Sequence, residues 1–294
     1  MTLPFSAERV SRAVLLAHPA GHSLSPAMHD AAFEALGLDG RYEAWDVPSA
    51  GLAGALDGIR SSSVLLGANV SVPHKEAVVA LLDELTPAAR RLGAVNTIVR
   101  RGRTLLGDNT DAYGFAAAMA ELERPPGPGR ALVLGAGGAA RAAVAALLAV
   151  GSSVLVYNRD PARAAALVAD WQCEGELGVV DAVGLRDAAL RADWLVNATT
   201  VGMQGGPPGS PLPAGMLPAA GAVMDLVYRP RPTPLLAAAR AAGLPIQDGV
   251  AMLVHQGAAA FLAWTGHQPP LEVMRAAVEG ALAAGEPSPP SLPS

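Results

Sequence analysis

The sequence contains a single cysteine and no metal-binding motif, which limits the chemistry that it can support. Cys173 cannot form an intrachain disulfide or a multi-cysteine zinc site. Its isolation fits a reducing, cytoplasmic location. The six histidines show no ligand spacing, so we expect no metal ion. We interpret His22, His29 and His74 as residues of turns and helix caps.

The sequence also has few aromatic residues, no excess of positive charge and no long unbroken apolar run. Aromatic side chains make up 4% of the chain and the net charge is −5, so we expect no nucleic-acid partner. The most apolar stretch, 131–157, is interrupted by four glycines and by Arg141. A membrane-spanning helix needs about 20 unbroken apolar residues. We therefore expect no membrane span, and the run at 13–17 is too short for a secretory signal.

Short apolar strands alternate with Ala-rich helical stretches, which is typical of a parallel α/β architecture. A chain of 294 residues is long enough for two domains. The Pro- and Ser-rich tail, 286–294, is predicted to be disordered. The predicted strands are 14–17, 43–47, 64–70, 96–100, 131–134, 154–157, 194–197 and 222–225, and the predicted helices of the first third are 25–36, 52–60 and 74–82.

The segment that follows the fifth predicted strand has a glycine pattern typical of a dinucleotide site. It reads Gly135, Ala136, Gly137, Gly138, Ala139 and then a second alanine, and a predicted helix continues from it. The first glycine allows the strand-to-helix turn, and the second lets the backbone approach a pyrophosphate at the helix N-terminus. Because strand, turn and helix occur in the required order, the pattern predicts a cofactor site.

The end of the next predicted strand distinguishes between the two nicotinamide cofactors. A site for NAD has a carboxylate here for the ribose hydroxyls, whereas this chain reads Asn158, Arg159 and Asp160. Arg159 supplies a planar cation that suits a 2′-phosphate, so we predict NADP as the cofactor. Asp160 could accept the ribose hydroxyls of NAD, and it leaves that cofactor open.

Eight segments besides the glycine turn resemble the shikimate dehydrogenase family, in the family's order and over nearly the whole chain. They are HSLSP (22–26), NVSVPHK (69–75), GAVNT (93–97), GDNTD (107–111), NATTVGM (197–203), DLVY (225–228), TPLL (233–236) and GVAMLVHQG (249–257). The resemblance implies a two-domain α/β fold. An N-terminal α/β substrate-binding domain would span 1–112, with C-terminal helices at 250–285 packed back on it, and a Rossmann dinucleotide-binding domain would span 113–249.

Lys75 and Asp111 match the family's catalytic lysine and aspartate. Oxidation of a secondary alcohol needs a group that takes its proton, and a lysine can serve if burial lowers its pKa from about 10.4. A nearby Asp111 would instead favour the charged lysine. Two roles stay open: Lys75 as general acid and base, or Lys75 as a fixed cation while the pair moves the proton. Without the resemblance, a structural ion pair is the simpler interpretation.

The resemblance also implies the substrate-binding residues. Ser23 and Ser25 match two serines that bind the substrate carboxylate, and two hydroxyl donors before a helix N-terminus suit that anion. The residues alone favour Ser25 as a helix cap with Pro26 at the first helical position. The other substrate contacts implied are Ser71, Asn96, Tyr228 and Gln256.

Four further positions have narrower roles. Gly249 matches a backbone contact to the nicotinamide amide, and Thr199 matches another cofactor-binding position. Asp160 stands where the family has threonine or serine, which weakens the preference for NADP. We interpret Asn69, at the end of a predicted strand, as support for the backbone.

The resemblance implies an NADP-dependent oxidoreductase that reversibly reduces 3-dehydroshikimate to shikimate in aromatic amino-acid (chorismate) biosynthesis. We expect a cytoplasmic monomer or homodimer. A quinate/shikimate dehydrogenase using NAD is the nearest alternative, although serine at position 25 favours shikimate. A methylenetetrahydrofolate dehydrogenase would need Tyr-x-x-x-Lys, whereas position 71 is serine. A non-catalytic NADP-binding regulator would not need Lys75 and Asp111.

Overall fold

The computed structural model describes residues 11–122, 127–171 and 175–285. Cys173 and the tail at 286–294 lie outside these residues. The strands are β1 (Ser11–Ala17), β2 (Gly40–Asp46), β3 (Leu65–Val70), β4 (Glu84–Leu85), β5 (Thr97–Arg101), β6 (Thr104–Asp108), β7 (Arg130–Leu134), β8 (Ser153–Tyr157), β9 (Leu177–Val179), β10 (Trp194–Asn197), β11 (Ala222–Asp225) and β12 (Ile246–Gln247). The helices are α1 (Ser25–Ala35), α2 (Leu52–Ser61), α3 (Pro87–Leu92), α4 (Asp111–Ala120), α5 (Gly138–Ala149), α6 (Pro161–Ala169), α7 (Leu185–Leu190), α8 (Pro234–Ala241), α9 (Gly249–Thr265) and α10 (Leu271–Ala284).

The first sheet contains six strands in the order β2-β1-β3-β5-β6-β4. Its first three strands are parallel, whereas β5 is antiparallel to both β3 and β6. The internal strand β1 carries the apolar run Ala13–Ala17, which is buried throughout. Such a continuous run is expected of a strand that is covered on both faces.

The second sheet contains six parallel strands in the order β12-β11-β10-β7-β8-β9. In chain order this is the Rossmann arrangement 3-2-1-4-5-6, in which the strand order reverses between the first and fourth strands. Here that point lies between β7 and β10. Ligands of such sheets bind beyond the carboxyl ends of the strands at this place, which locates the cofactor cleft next to Gly135 and Asn197.

The C-terminal helices return to the first sheet. In α9, Trp264 Nε1 donates a hydrogen bond to the carbonyl of Ile98 in β5 over 2.9 Å. Apolar residues of α9 and α10, among them Phe261 and Met274, pack with Phe33 of α1 in one buried cluster. The helix α4, between the two sheets, packs against both α9 and α5. Residues from opposite ends of the chain thus pack together.

The predicted strands at 194–197 and 222–225 are confirmed. The predicted helix over 74–82 is wrong, because the chain forms a turn and then a short 3-10 helix, Ala77–Leu81. Two contacts divert it from a regular helix. His74 is buried with Nε2 2.6 Å from the carbonyl oxygen of Val47, and the Lys75 carbonyl accepts a hydrogen bond from the Val95 N–H.

Candidate active site

The structure brings Lys75 and Asp111 into direct contact. Lys75 lies in the turn after β3, and Asp111 is the first residue of α4. Lys75 Nζ donates to Asp111 Oδ2 over 2.6 Å, and the two side chains are 19% and 4% exposed. The carboxylate is therefore buried, while the ammonium keeps access to the cleft.

A second residue holds the other oxygen of Asp111. Asn96 Nδ2 donates to Asp111 Oδ1 over 2.8 Å, and Asn96 Oδ1 accepts from the Thr110 N–H. The Asp111 N–H donates in turn to Asn109 Oδ1. Both carboxylate oxygens of Asp111 thus accept hydrogen bonds, which fix the orientation of its side chain.

Gln256 reaches this cluster from α9. Asn96 Nδ2 lies 3.2 Å from Gln256 Oε1, and Gln256 Nε2 donates to the carbonyl of Leu253. The approach depends on Gly114 in α4, where a Cβ atom would lie 2.9 Å from the backbone nitrogen of Gln256. A residue without a side chain therefore lets α4 and α9 pack closely enough to join Asn96 and Gln256.

The two serines of the predicted carboxylate site lie at the start of α1. The interpretation of Ser25 as a helix cap is wrong, because the helix begins at Ser25 and the preceding Leu24 makes no side-chain cap. Instead Ser23 Oγ accepts a hydrogen bond from the Ser25 N–H over 3.2 Å. The Ser25 hydroxyl is thus free of the capping role. Ser71 directly follows β3, and its N–H donates to the carbonyl of Leu16 in β1.

A buried layer beside Asn96 is formed by Asn69, Tyr42 and His29. As interpreted from the sequence, Asn69 supports the backbone, since its Nδ2 donates to the Asn96 carbonyl over 3.1 Å. The interpretation of His29 as a turn or cap residue is wrong. It lies fully buried within α1 and stacks on Tyr42, with ring centroids 4.4 Å apart. Burial lowers the pKa of His29 to about 3, so its ring is neutral near pH 7.

The glycine turn fits the pyrophosphate of a dinucleotide. Gly135 has a φ of +112°, and a Cβ atom there would lie 2.9 Å from the Ala198 carbonyl oxygen. Ala136 is buried, and Ala139 lies half-buried in the first turn of α5. Gly137 precedes α5 without a side-chain cap and has open space where a side chain would stand. The N–H groups at the start of α5 are therefore available to an anion.

The glycine turn also lies beside the catalytic pair. A Cβ atom at Gly138 would be 3.4 Å from Cδ of Lys75. The stem of the lysine thus passes along the beginning of α5. This proximity joins the cofactor cleft to the ammonium group of Lys75, which a direct transfer between cofactor and substrate requires.

The segment after β8 combines an exposed cation with a helix cap. Asp160 Oδ1 accepts from the Ala162 N–H over 3.0 Å and so caps α6, while Asn158 Nδ2 donates to the Asp160 carbonyl. Arg159 is exposed. Arg163, in the first turn of α6, is also exposed, and it was not among the cofactor-binding residues predicted from the sequence. Its position four residues after Arg159 was the signal in the sequence for a second cation near the same site.

Thr199 and Gly249 lie at the other end of the cofactor cleft. Thr199 Oγ1 donates to Asn197 Oδ1 over 2.7 Å, and Asn197 Nδ2 donates to the buried Asp225. A Cβ atom at Gly249 would lie 2.1 Å from the Leu226 carbonyl oxygen, so only glycine fits there. Tyr228 follows β11 and packs against the cluster of α1, α9 and α10. Burial raises the pKa of Tyr228, and Arg229 opposes the rise.

Lys75 is the only lysine of the chain, since its 21 basic residues are otherwise arginines. Arginine stays protonated at any working pH, whereas lysine can release its proton. This was a signal in the sequence for a special role of Lys75.

Within the described ranges, no group of three or more His, Cys, Asp or Glu side chains is placed to hold a metal ion. No helix in that part of the chain is long and apolar enough to cross a membrane.

Comparisons with known proteins agree with this geometry. The family model described as the shikimate dehydrogenase substrate binding domain matches residues 15–98. The model described as the shikimate 5′-dehydrogenase C-terminal domain matches residues 249–279. Shikimate dehydrogenase (NADP(+)) of Thermus thermophilus is 48% identical over 275 residues, which are 92% of this chain and 98% of that protein. The corresponding protein of Symbiobacterium thermophilum is 46% identical over 91% of this chain and 93% of its own length.

Solved structures give the same result. The crystal structure of shikimate 5-dehydrogenase from Thermus thermophilus, in complex with NADP(H) and shikimate, matches with a TM-score of 0.85 and 47% identity. The match covers 92% of this chain and 100% of that chain. Quinate dehydrogenase from Corynebacterium glutamicum, in complex with NAD, also matches with a TM-score of 0.85, at 34% identity, over 93% of this chain and 100% of that chain. The chain belongs to the shikimate dehydrogenase family.

Proposed function

We propose that this chain is an NADP-dependent shikimate dehydrogenase that reversibly reduces 3-dehydroshikimate to shikimate. The observation that carries the proposal is the contact of Lys75 with Asp111 directly beside the glycine turn at Gly138. An ion pair alone has many structural uses. An ion pair that includes the only lysine, at the opening of a dinucleotide cleft, suits transfer of a hydride and a proton at one carbon–oxygen bond.

The cofactor, when bound, supplies or accepts the hydride at its nicotinamide ring. The start of α5 after Gly137 binds its pyrophosphate, and Arg159 with Arg163 binds the 2′-phosphate that distinguishes NADP from NAD. Thr199 and Gly249 line the nicotinamide end. Asp160 can stand beside the site of the 2′-phosphate because its Oδ1 accepts a hydrogen bond from the Ala162 N–H at the start of α6.

The substrate lies on the side of the first sheet. The hydroxyls of Ser23 and Ser25 bind its carboxylate, and Ser71, Asn96 and Gln256 bind its ring hydroxyls. An amide offers both a donor and an acceptor, which suits neighbouring hydroxyls on a ring. Tyr228 closes the site towards the nicotinamide.

Lys75 is the group that meets the reacting oxygen. Asp111 is 4% exposed and both of its oxygens are engaged, whereas one N–H of the ammonium binds Asp111 and the others can point into the cleft. In the direction of reduction, the charged lysine donates a proton to the oxygen as hydride reaches the carbon. In the direction of oxidation, a lysine that has already released its own proton to solvent takes the proton of the substrate hydroxyl as hydride leaves the carbon. Asp111 holds the ammonium in place through this hydrogen bond.

Kinetic measurements on the purified chain test the proposed activity. We expect oxidation of shikimate with NADP+ to exceed both oxidation of quinate and oxidation with NAD+ in kcat/KM. The serine at position 25 and the exposed pair of Arg159 and Arg163 support this order. A preference for quinate with NAD+ would instead assign the chain to the activity of its quinate dehydrogenase relative. The cytoplasmic location and the oligomeric state stay predictions.

Two variants of Lys75 separate its two possible roles. Lys75→Met keeps an apolar stem and removes the ammonium, and we expect kcat to fall about 10²- to 10⁴-fold. Lys75→Arg keeps a cation that cannot give up its proton at working pH. If Lys75 moves the proton, Lys75→Arg is as inactive as Lys75→Met, whereas a fixed cation would leave clearly more activity in Lys75→Arg. Unchanged binding of NADP+ to both variants serves as the control for folding.

A further inference from the structure

Tyr42 is a fully buried tyrosine that none of the roles above involves. It lies in β2, at the edge of the first sheet, and is 3% exposed. Its ring stacks on His29 with 19° between the ring planes and 4.4 Å between centroids. Its hydroxyl donates to Asn69 Oδ1 over 2.8 Å. A buried tyrosine needs a partner for its hydroxyl, and here that partner belongs to the substrate side of the cleft.

The direction of these hydrogen bonds is determined by the backbone. Asn69 Nδ2 faces the carbonyl oxygen of Asn96 over 3.1 Å, and a carbonyl can only accept. The amide nitrogen of Asn69 must therefore point to Asn96, and its Oδ1 must point to Tyr42. It follows that Tyr42 is the donor, and that this donor stabilises the one orientation of Asn69 that supports Asn96.

Asn96 is the point at which this buried layer meets the catalytic pair. Asn69 Nδ2 also lies 3.3 Å from Thr97 Oγ1, which donates to Asn96 Oδ1 over 2.9 Å. Asn96 Nδ2 then donates to Asp111, which binds Lys75. A continuous series of hydrogen bonds thus runs from Tyr42 to Lys75.

Ser25 approaches the same tyrosine from α1. Burial raises the pKa of Tyr42 well above its usual value, and a hydrogen bond from the Ser25 side chain opposes the rise. The hydroxyl of Tyr42 therefore keeps its proton and remains a donor throughout the working range of pH. Tyr42 lies between one serine of the proposed carboxylate site and the asparagine that supports Asn96.

We propose that Tyr42 is a positioning residue for substrate binding, which acts through Asn69 to hold Asn96 in the orientation that the substrate ring requires. The proposal rests on the function proposed above, because it takes Asn96 as a substrate contact. Tyr42 touches neither the catalytic pair nor the cofactor cleft in any of its described contacts. We therefore expect Tyr42 to affect the binding of the substrate and not the binding of NADP.

The substitution Tyr42→Phe tests this directly, because it keeps the ring that stacks on His29 and removes only the donor. Asn69 Oδ1 then stays buried without that donor, and Asn96 loses part of its support. We expect KM for shikimate to rise about tenfold, kcat to change less than about threefold, and KM for NADP+ to stay within about twofold. A loss of folded protein would lower kcat and leave both KM values unchanged.

Thr265→Val is the matched control. It also removes one buried hydroxyl of the same region, which donates to the carbonyl of Phe261 over 2.8 Å, but it has no contact with the Asn69 layer among the bonds of the described residues. We expect Thr265→Val to lower the melting temperature without changing KM for shikimate. An equal rise of KM in Thr265→Val and Tyr42→Phe would overturn the proposal, since both would then reflect general loosening of the core.

A double-mutant cycle identifies the route of the effect. If Tyr42 acts through Asn69, then Tyr42→Phe changes KM less than about twofold in the background of Asn69→Ala. If the two substitutions raise KM independently, so that their effects multiply in the double variant, the proposal is overturned. An Asn69→Ala variant with the KM of the original chain would also overturn it. That second outcome can be measured even if Tyr42→Phe fails to fold. Turnover of shikimate by the unsubstituted chain is measured first. Its absence would refute the proposed function, whereas normal turnover with unaffected variants would refute the role of Tyr42 alone.

Discussion

The buried carboxyl of Asp225 makes the stability of the second domain depend on pH. Asp225 ends β11 with no exposed surface, and it accepts hydrogen bonds from Asn197, Thr233 and the Val227 N–H. Burial raises its pKa from the ordinary value of 3.8 to about 6, although those three hydrogen bonds oppose the rise. The folded protein therefore keeps a proton on Asp225 at pH values at which the unfolded chain has lost it.

The sign and size of the effect follow from this difference. Stability from the bound proton is fully present below pH 3.8 and is lost as the pH rises through about 6. The change from 3.8 to about 6 corresponds to about 3 kcal/mol, at 1.36 kcal/mol for each pH unit. In Asp225→Asn the side chain has the same shape and no proton to lose. Its amide can donate to Thr233 Oγ1, which lies 2.6 Å from Asp225 Oδ2.

Equilibrium unfolding in urea at a series of pH values from 4 to 7.5 measures the effect. The free energy of unfolding of the original chain, minus that of Asp225→Asn, should fall by about 2.5 kcal/mol between pH 4 and 7.5 and level off above that range. Other titrating groups are common to both proteins and cancel in the difference. A difference that stays constant over the range would refute the reasoning, because it would mean that Asp225 has the same pKa in both states.

Two further substitutions test the cofactor site. Asp160→Ser keeps an oxygen that can cap α6 at Ala162 and removes a negative charge beside Arg159, so the ratio of kcat/KM for NADP+ to that for NAD+ should rise severalfold; an unchanged ratio would mean that Asp160 does not face the 2′-phosphate. Gly249→Ala would place a Cβ atom 2.1 Å from the Leu226 carbonyl oxygen. We expect a loss of about 1–3 kcal/mol in stability and a higher KM for NADP+, and wild-type values of both would contradict this account of the close approach.

Local patterns in the sequence were sufficient for much of the fold. The strands Trp194–Asn197 and Ala222–Asp225 are short apolar runs between turn residues, and their bounds could be predicted from that pattern alone. The glycine turn at Gly135 needs a positive φ that other residues rarely adopt, so it too is encoded locally. The resemblance of the matching segments supplied the family and the identity of the catalytic pair.

Other features depend on contacts between distant segments, and the sequence was misleading there. The residues around His74 and Lys75 have a helical pattern, but the Val47 carbonyl and the Val95 N–H bind them in a turn. Ser25 has the features of a helix cap, yet α1 begins at Ser25 itself. At His74 and Lys75 the local helical preference is small, and these two hydrogen bonds to distant segments outweigh it.

Lys75 and Asp111 could thus be proposed from the sequence as the catalytic residues, but only the tertiary structure showed how their side chains are held. Gln256 stands 160 positions after Asn96 and reaches it because α4 and α9 pack closely at Gly114. Tyr42 has no local signature at all, and its role follows only from the side chain that its buried hydroxyl meets. The sequence by itself determined the chemical groups and the backbone conformation of local features such as the turn at Gly135. The folded core determined which groups meet, because hydrogen bonds between distant segments form only where packing brings their atoms together.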